Sequence, residues 1–173
     1  GVQFTPNGPV AINILTGPRP GGTTTLAPSL SNNTLVGRET LTAIERRTAP
    51  QATTAGINGD FFSSKDSQPS GIFMEGGVLK HPPLSGRSSI GVGSDGTLHV
   101  DRVRFVATWQ GTGQRRPLDG VNRAASPGQV VLFTPAYGAA VPRVAGSAEV
   151  TLQPFPATAP ATDLTAPVTA QAS

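Results

Sequence analysis

The chain has 173 residues, 36% of them hydrophobic and 13% charged, with 21 glycines, 17 prolines and no cysteine. Its charged share is about half the ~25% of ordinary soluble domains, which argues against disorder, and its Gly and Pro content favours turns and short strands over long helices. Absence of cysteine excludes disulfides, thiolate metal sites and a cysteine nucleophile, and a net charge of +3 with no dense basic run gives nucleic-acid binding little support.

The length fits one domain, and the pattern predicts a β-rich α+β body over residues 1–153, followed by a tail at 154–173. Residues 10–15 alternate Val10, Ile12 and Ile14 against Ala11, Asn13 and Leu15, the pattern of a strand with one face fully buried. Residues 23–30, β-branched and closed near Pro28, read as a second strand. Residues 38–48 carry the one credible helix. Leu41, Ile44 and Thr48 share a face, while Glu39, Glu45, Arg46 and Arg47 are expected to face water. Glu39 early and the arginines late suit the helix dipole, and Pro50 stops the helix.

Residues 53–57 read as a short buried strand leading into Asn58-Gly59-Asp60. Residues 72–80 form a predicted hairpin, with Gly76-Gly77 supplying the positive backbone angles of a tight turn. A second hairpin joins 87–92 to 97–110 around Ser94-Asp95-Gly96. Its long arm is expected to bury Leu98, Val100, Val103, Phe105, Ala107 and Trp109, with a bulge near Asp101-Arg102 where the phase slips. Residues 129–134 and 147–152 complete the strand set. Beyond Pro154 the chain is Ala, Pro and Thr with Asp163 as its single charge, the composition of a linker. No apolar run approaches the ~20 residues of a membrane helix.

The most informative stretch is Asn58-Gly59-Asp60-Phe61-Phe62, where small polar residues stand between residues that favour burial. Such an arrangement suggests an amide and a carboxylate held at the edge of a core. Pro69-Ser70-Gly71-Ile72, Arg87-Ser88-Ser89-Ile90-Gly91, and Asn122 with Val131-Leu132-Phe133-Thr134-Pro135-Ala136-Tyr137-Gly138 follow in order. Together these four segments resemble the phosphodiester glycosidase family, which includes N-acetylglucosamine-1-phosphodiester alpha-N-acetylglucosaminidases and exopolysaccharide-related proteins. Members of that family continue into a second half with an Asp-Gly-Gly-Gly-Ser segment, and nothing here resembles it. The resemblance therefore covers an N-terminal half. A C-terminal half or a second chain would supply the rest, and whether this chain works alone stays open.

The resemblance implies a hydrolase that cleaves a sugar-1-phosphodiester on extracellular or cell-envelope carbohydrate. The rival reading is a non-catalytic carbohydrate-binding or envelope structural module. Absence of cysteine suits a secreted or cell-envelope protein. Hydrolysis at the glycosidic bond expels a phosphomonoester, which leaves with little need of a proton. Positive charge on the phosphate and a carboxylate near the anomeric carbon then matter most.

Asp60 and Arg87 are the catalytic candidates. Desolvation by Phe61 and Phe62 would raise the Asp60 carboxyl for acid or base work, although Asp also caps turns routinely. The Arg87 fork suits phosphate oxygens, although a surface arginine at a strand start is equally ordinary. Substrate-binding candidates are Asn58, Gly59, Ser88, Asn122, Thr134 and Tyr137. Gly59 would permit close approach or a positive φ. Asn122 would position substrate from a polar loop, and a structural role for the Tyr137 hydroxyl is as plausible as a sugar contact. His81 and His99 lack metal-ligand spacing, so no metal and no cofactor are expected. No Gly-x-Ser-x-Gly elbow is present.

Overall fold

A computed structural model describes residues 1–154 and 170–172. The chain is a β-rich α+β protein, 25% strand and 9% helix. Backbone contacts gather it into two compact units, Gly1–Leu26 with Ile90–His99, and Ala27–Ser89 with Val100–Ser173.

In the first unit, β1 (Val2–Thr5) pairs antiparallel with β2 (Gly8–Ala11). The strand expected over 10–15 therefore ends at Ala11 and gains no buried face. Val10, Ile12, Ile14 and Leu15 are all exposed, because an isolated two-stranded ribbon has no second layer to cover them. Residues 23–30 do not form the second expected strand; only a single bridge joins Gly21 to Thr24. β5 (Ser88–Val92) and β6 (Leu98–Arg102), of which residues 90–99 fall in this unit, form the expected hairpin, and its turn is closed by Gly93 and Thr97. Asp95 locks this turn by accepting from the Thr97 amide and hydroxyl at 2.9 and 2.7 Å. These two Thr97 hydrogen bonds hold the Asp95 carboxyl below its ordinary range.

In the second unit, α1 (Leu41–Thr48) starts three residues later than expected, because Thr40 caps it. The Thr40 hydroxyl accepts from the Ala43 amide at 3.3 Å. A single 3-10 turn, Ala49–Gln51 with Pro50 near its start, ends the helix. Glu39 and Arg47 do not simply face water, as the helix pattern suggested. Arg47 donates to Glu39 through Nε at 3.2 Å and Nη2 at 2.9 Å, and also to the Leu30 carbonyl and Asn33 Oδ1. That arginine ties the helix to the turn at 30–35, whose Asn32 and Asn33 have φ of 52° and 60°. Asn tolerates this left-handed region better than other side chains do.

β3 (Phe73–Glu75) and β4 (Val78–His81) form the expected hairpin, with φ of 56° and 78° at Gly76 and Gly77. A Lys80–Glu75 ion pair spans it. β7 (Thr108–Trp109) pairs with β8 (Arg116–Pro117), and β9 (Gly120–Val121) runs parallel to β10 (Val131–Leu132). The long arm over 97–110 is a correction. β6 stops at Arg102, and at that end the Asp101 carboxylate accepts from the Arg102 amide at 2.6 Å. Leu98, Val100, Val103 and Trp109 stay exposed. Residues 53–57 are likewise exposed and form no strand.

Residues 147–151 are not strand. β11 (Leu152–Pro154) pairs antiparallel with β12 (Ala170–Ala172), and the rest of the expected linker at 154–173 lies outside the described residues. Among the described residues the buried apolar side chains are Leu30, Leu35, Phe73, Val121 and Tyr137, of which Leu30, Leu35 and Phe73 touch. No helix among the described residues is long and apolar enough to cross a membrane.

Candidate functional site

The segment that follows Asp60 folds back on itself. Phe62 bridges to Pro69, the Ser63 amide donates to the Gln68 carbonyl at 2.8 Å, and the Ser70 amide donates to the Phe61 carbonyl at 2.8 Å. Polar side chains seal the interior of this loop. Buried Gln68 donates to Asp66 from its amide side chain at 3.0 Å and from its backbone at 3.3 Å. Burial alone would push the Asp66 carboxyl up, but hydrogen bonds from Ser63 and Gln68 outweigh it and hold that carboxyl below its usual value.

The closed loop delivers Asp60 to Arg87. Arg87 Nη2 donates to Asp60 Oδ1 at 2.5 Å across 27 residues of sequence, and the same oxygen accepts from the Phe61 amide at 2.7 Å. The other carboxylate oxygen, Oδ2, lies against buried Gly71, where a Cβ would come within 2.5 Å of it. Only glycine leaves room for the carboxylate there. Behind Gly71, its carbonyl shares a 2.8 Å hydrogen bond with His81 Nδ1 on β4. Arg87 sits where the sequence places it, after the turn that its amide closes on the Leu84 carbonyl at 3.2 Å.

The surroundings differ from the expected core edge. Phe61 and Phe62 are 77% and 56% exposed, so the apolar enclosure expected to desolvate Asp60 is absent. No apolar layer follows from residues 53–57, and the rings instead carry arginines. The Arg87 guanidinium carbon lies 5.6 Å from the Phe61 centroid, and that of Arg38 lies 5.2 Å from the Phe62 centroid. Such contacts contribute ~0.5–1 kcal/mol at exposed positions. The Asp60 and Arg87 side chains are 33% and 37% exposed, so their pair is a surface interaction worth ~1 kcal/mol or less.

Asn58, Gly59 and Ser88 are exposed beside this pair. Gly59 has neither a positive φ nor a close neighbour, so the two reasons expected for glycine at that position do not apply.

Asn122 is the clearest correction. It is 0% exposed and stands at the end of β9 with φ of 49°. Its Nδ2 donates to the Lys80 carbonyl and to Thr134 Oγ1, both at 2.8 Å, and its Oδ1 accepts from the Thr134 amide at 2.7 Å. Its own amide donates to the Leu132 carbonyl. Both polar atoms of the Asn122 side chain, and its backbone amide, are therefore used inside the fold. It braces β4 against the β9–β10 pair, and Thr134 is hydrogen-bonded to it through both its amide and its hydroxyl. Tyr137 is buried edge-on against Phe133, with centroids 5.0 Å apart and rings at 87°. Burial, with a smaller contribution from Asp66, pushes its phenol up.

The structure thus brings Asp60 and Arg87 together, leaves Asn58, Gly59 and Ser88 on the open surface near them in sequence, buries Asn122 and Tyr137, and half-buries Thr134. Sequence reasoning missed Arg38, Gly71 and His81 as neighbours of the motif. Gly71 was quoted within a resembling segment, and a glycine after a Ser is a weak signal. Arg38 stands at the start of the expected helix over 38–48, and no local pattern links it to Phe62. Among the described residues, no group of three or more His, Asp or Glu could hold a metal ion. No protein-family model, curated protein or solved structure matches the chain.

Proposed function

We propose that the chain is a phosphodiester glycosidase that hydrolyses a sugar-1-phosphodiester of extracellular or cell-envelope carbohydrate. The observation that supports this most is the meeting of Asp60 with Arg87, two residues from separate resembling segments, at an open surface. In this reading a water oxygen bonds to the anomeric carbon as the bond from that carbon to the phosphate oxygen breaks. The bonding electrons leave on the phosphomonoester, and Asp60 Oδ2 takes the proton of the water. Arg87 keeps Asp60 Oδ1 occupied and turns its remaining N–H groups towards the leaving phosphate. Asn58 and Ser88 contribute hydrogen bonds to the sugar or phosphate, while Asn122, Thr134 and Tyr137 act as supports for the fold.

A second reading, a carbohydrate-binding or envelope module without catalysis, draws on the exposed rings of Phe61 and Phe62, since flat aromatic faces suit stacking against sugars. The two readings part on one assay. The chain and its Asp60→Asn variant are incubated with uridine diphosphate N-acetylglucosamine and with a methyl phosphodiester of N-acetylglucosamine 1-phosphate. Release of free sugar by the chain, reduced at least a hundredfold by Asp60→Asn, supports the enzyme. Equal turnover by the variant removes Asp60 from the reaction, and sugar binding without turnover favours the module.

A further inference from the structure

Two arginines sit on the two consecutive phenylalanines of the motif, and they differ in charge balance. Arg87 is paired with Asp60. Among the described residues Arg38 has no carboxylate partner: its Nε donates to Ser67 Oγ at 2.8 Å, and its Nη2 donates to the Ser64 carbonyl at 3.2 Å. Both acceptors are neutral and both lie in the closed loop after Asp60. They occupy the Nε–Nη2 edge of the guanidinium, and the ring of Phe62 lies 5.2 Å beneath it. Nη1 has no partner among the described residues, so Nη1 and the second N–H of Nη2 remain to donate from this exposed side chain. Together they form a planar, doubly donating fork suited to two oxygens of one phosphate or carboxylate.

Preorganisation separates Arg38 from an ordinary surface arginine. A free arginine must give up rotamer freedom to bind an anion. Here the ring and two loop oxygens already hold the guanidinium in place, and its charge remains uncompensated. The half-exposed Phe62 ring adds an apolar face for the sugar carbons beside that anion.

We propose that Arg38, seated on Phe62, is a subsite for a sugar phosphate, distinct from the Asp60–Arg87 pair and set apart by its unpaired charge. The substrate is then a carbohydrate with an anionic group besides the one at Arg87, as in a polymer of phosphorylated sugars. This extension to substrate class rests on the glycosidase reading, whereas the binding of a sugar phosphate at Arg38 does not.

The test is titration of glucose 1-phosphate, inorganic phosphate and glucose into the chain, followed by NMR of the arginine Nε–H and phenylalanine ring resonances. The expected result is saturable shifts at Arg38 and Phe62 with glucose 1-phosphate, at least fivefold weaker binding of inorganic phosphate, and none of glucose. Arg38→Gln is expected to weaken glucose 1-phosphate at least tenfold. Arg38→Lys is expected to do nearly the same, because lysine keeps the charge but lacks the fork. Shifts confined to Arg87, equal binding of inorganic phosphate, or full retention by Arg38→Lys would each overturn the proposal. The wild-type shifts need no variant, so poor folding of Arg38→Gln does not shelter it. Binding at Arg38 in a chain that hydrolyses no phosphodiester supports the subsite and tells against the glycosidase reading alone.

Discussion

Replacing Asn122 by alanine is expected to unfold the second unit at markedly lower temperature rather than to impair ligand binding in a stable protein. The residue is 0% exposed, and its side chain makes three hydrogen bonds, to the Lys80 carbonyl, Thr134 Oγ1 and the Thr134 amide. At about 1 kcal/mol net for each bond, their loss costs about 3 kcal/mol, with the Lys80 carbonyl and Thr134 amide left without these partners. The backbone adds a further contribution. Asn122 has φ of 49°, and alanine in the left-handed region costs roughly 1 kcal/mol more than a residue suited to it. The sum is about 4 kcal/mol, equivalent to a fall in Tm of roughly 10 °C for a chain of this size. Asn122→Gly loses the same three bonds without the backbone cost, so it should be about 1 kcal/mol less damaging than Asn122→Ala. Calorimetry and urea unfolding of both variants measure this directly. A loss below about 1 kcal/mol for Asn122→Ala, accompanied by loss of sugar binding, would refute the structural role and return Asn122 to the substrate.

Gly71→Ala should expel the Asp60 carboxylate from its seat, since the new methyl would stand 2.5 Å from Oδ2. We expect activity to fall at least tenfold with Tm changed by only a few degrees, because the Asp60–Arg87 pair itself is worth ~1 kcal/mol or less. Unchanged turnover would show that this seat is not needed. Glu39 predicts a pH effect. The Arg47 hydrogen bond, then the Asn32 amide, hold its carboxyl below the ordinary 4.5. A lowered carboxyl contributes stability that is complete above the unfolded value and is lost as pH falls through the folded value. Wild-type Tm should therefore drop below about pH 4.5, and Glu39→Gln should lower Tm at neutral pH and flatten that acid limb. Asp66 and Asp95 titrate in the same direction and remain in both proteins, so the difference between the two curves isolates Glu39.

Elements set by local chemistry could be read before the structure. Gly76-Gly77 forces its turn whatever lies around it, and Thr40, the apolar face of 41–48 and Pro50 define a helix to within three residues. The failures share one cause. Alternation at 10–15 and 97–110, and a short apolar run at 53–57, imply a buried face only where a second layer exists. The strands instead form separate pairs, so Ile14, Ile57 and Val100 remain exposed. Asp60 and Arg87, put forward from sequence because a carboxylate and a guanidinium suit one chemistry, do meet in the structure. Arg38 was not legible in the sequence, because the partners that fix it, Ser64 and Ser67, lie 26 and 29 residues away. Asn122 showed the right residue type for either role. Burial and a completed hydrogen-bond set, which only the fold supplies, decided between them.

Glycosidic cleavage beside Asp60 is tested most directly by hydrolysis of a sugar-1-phosphodiester in 18O-labelled water, with mass analysis of both products. Attack at the anomeric carbon predicts the label in the free sugar and none in the released phosphomonoester, with product formation lost in Asp60→Asn. Label in the phosphate would mean cleavage of the phosphorus–oxygen bond and would contradict the glycosidase account, as would absence of any product.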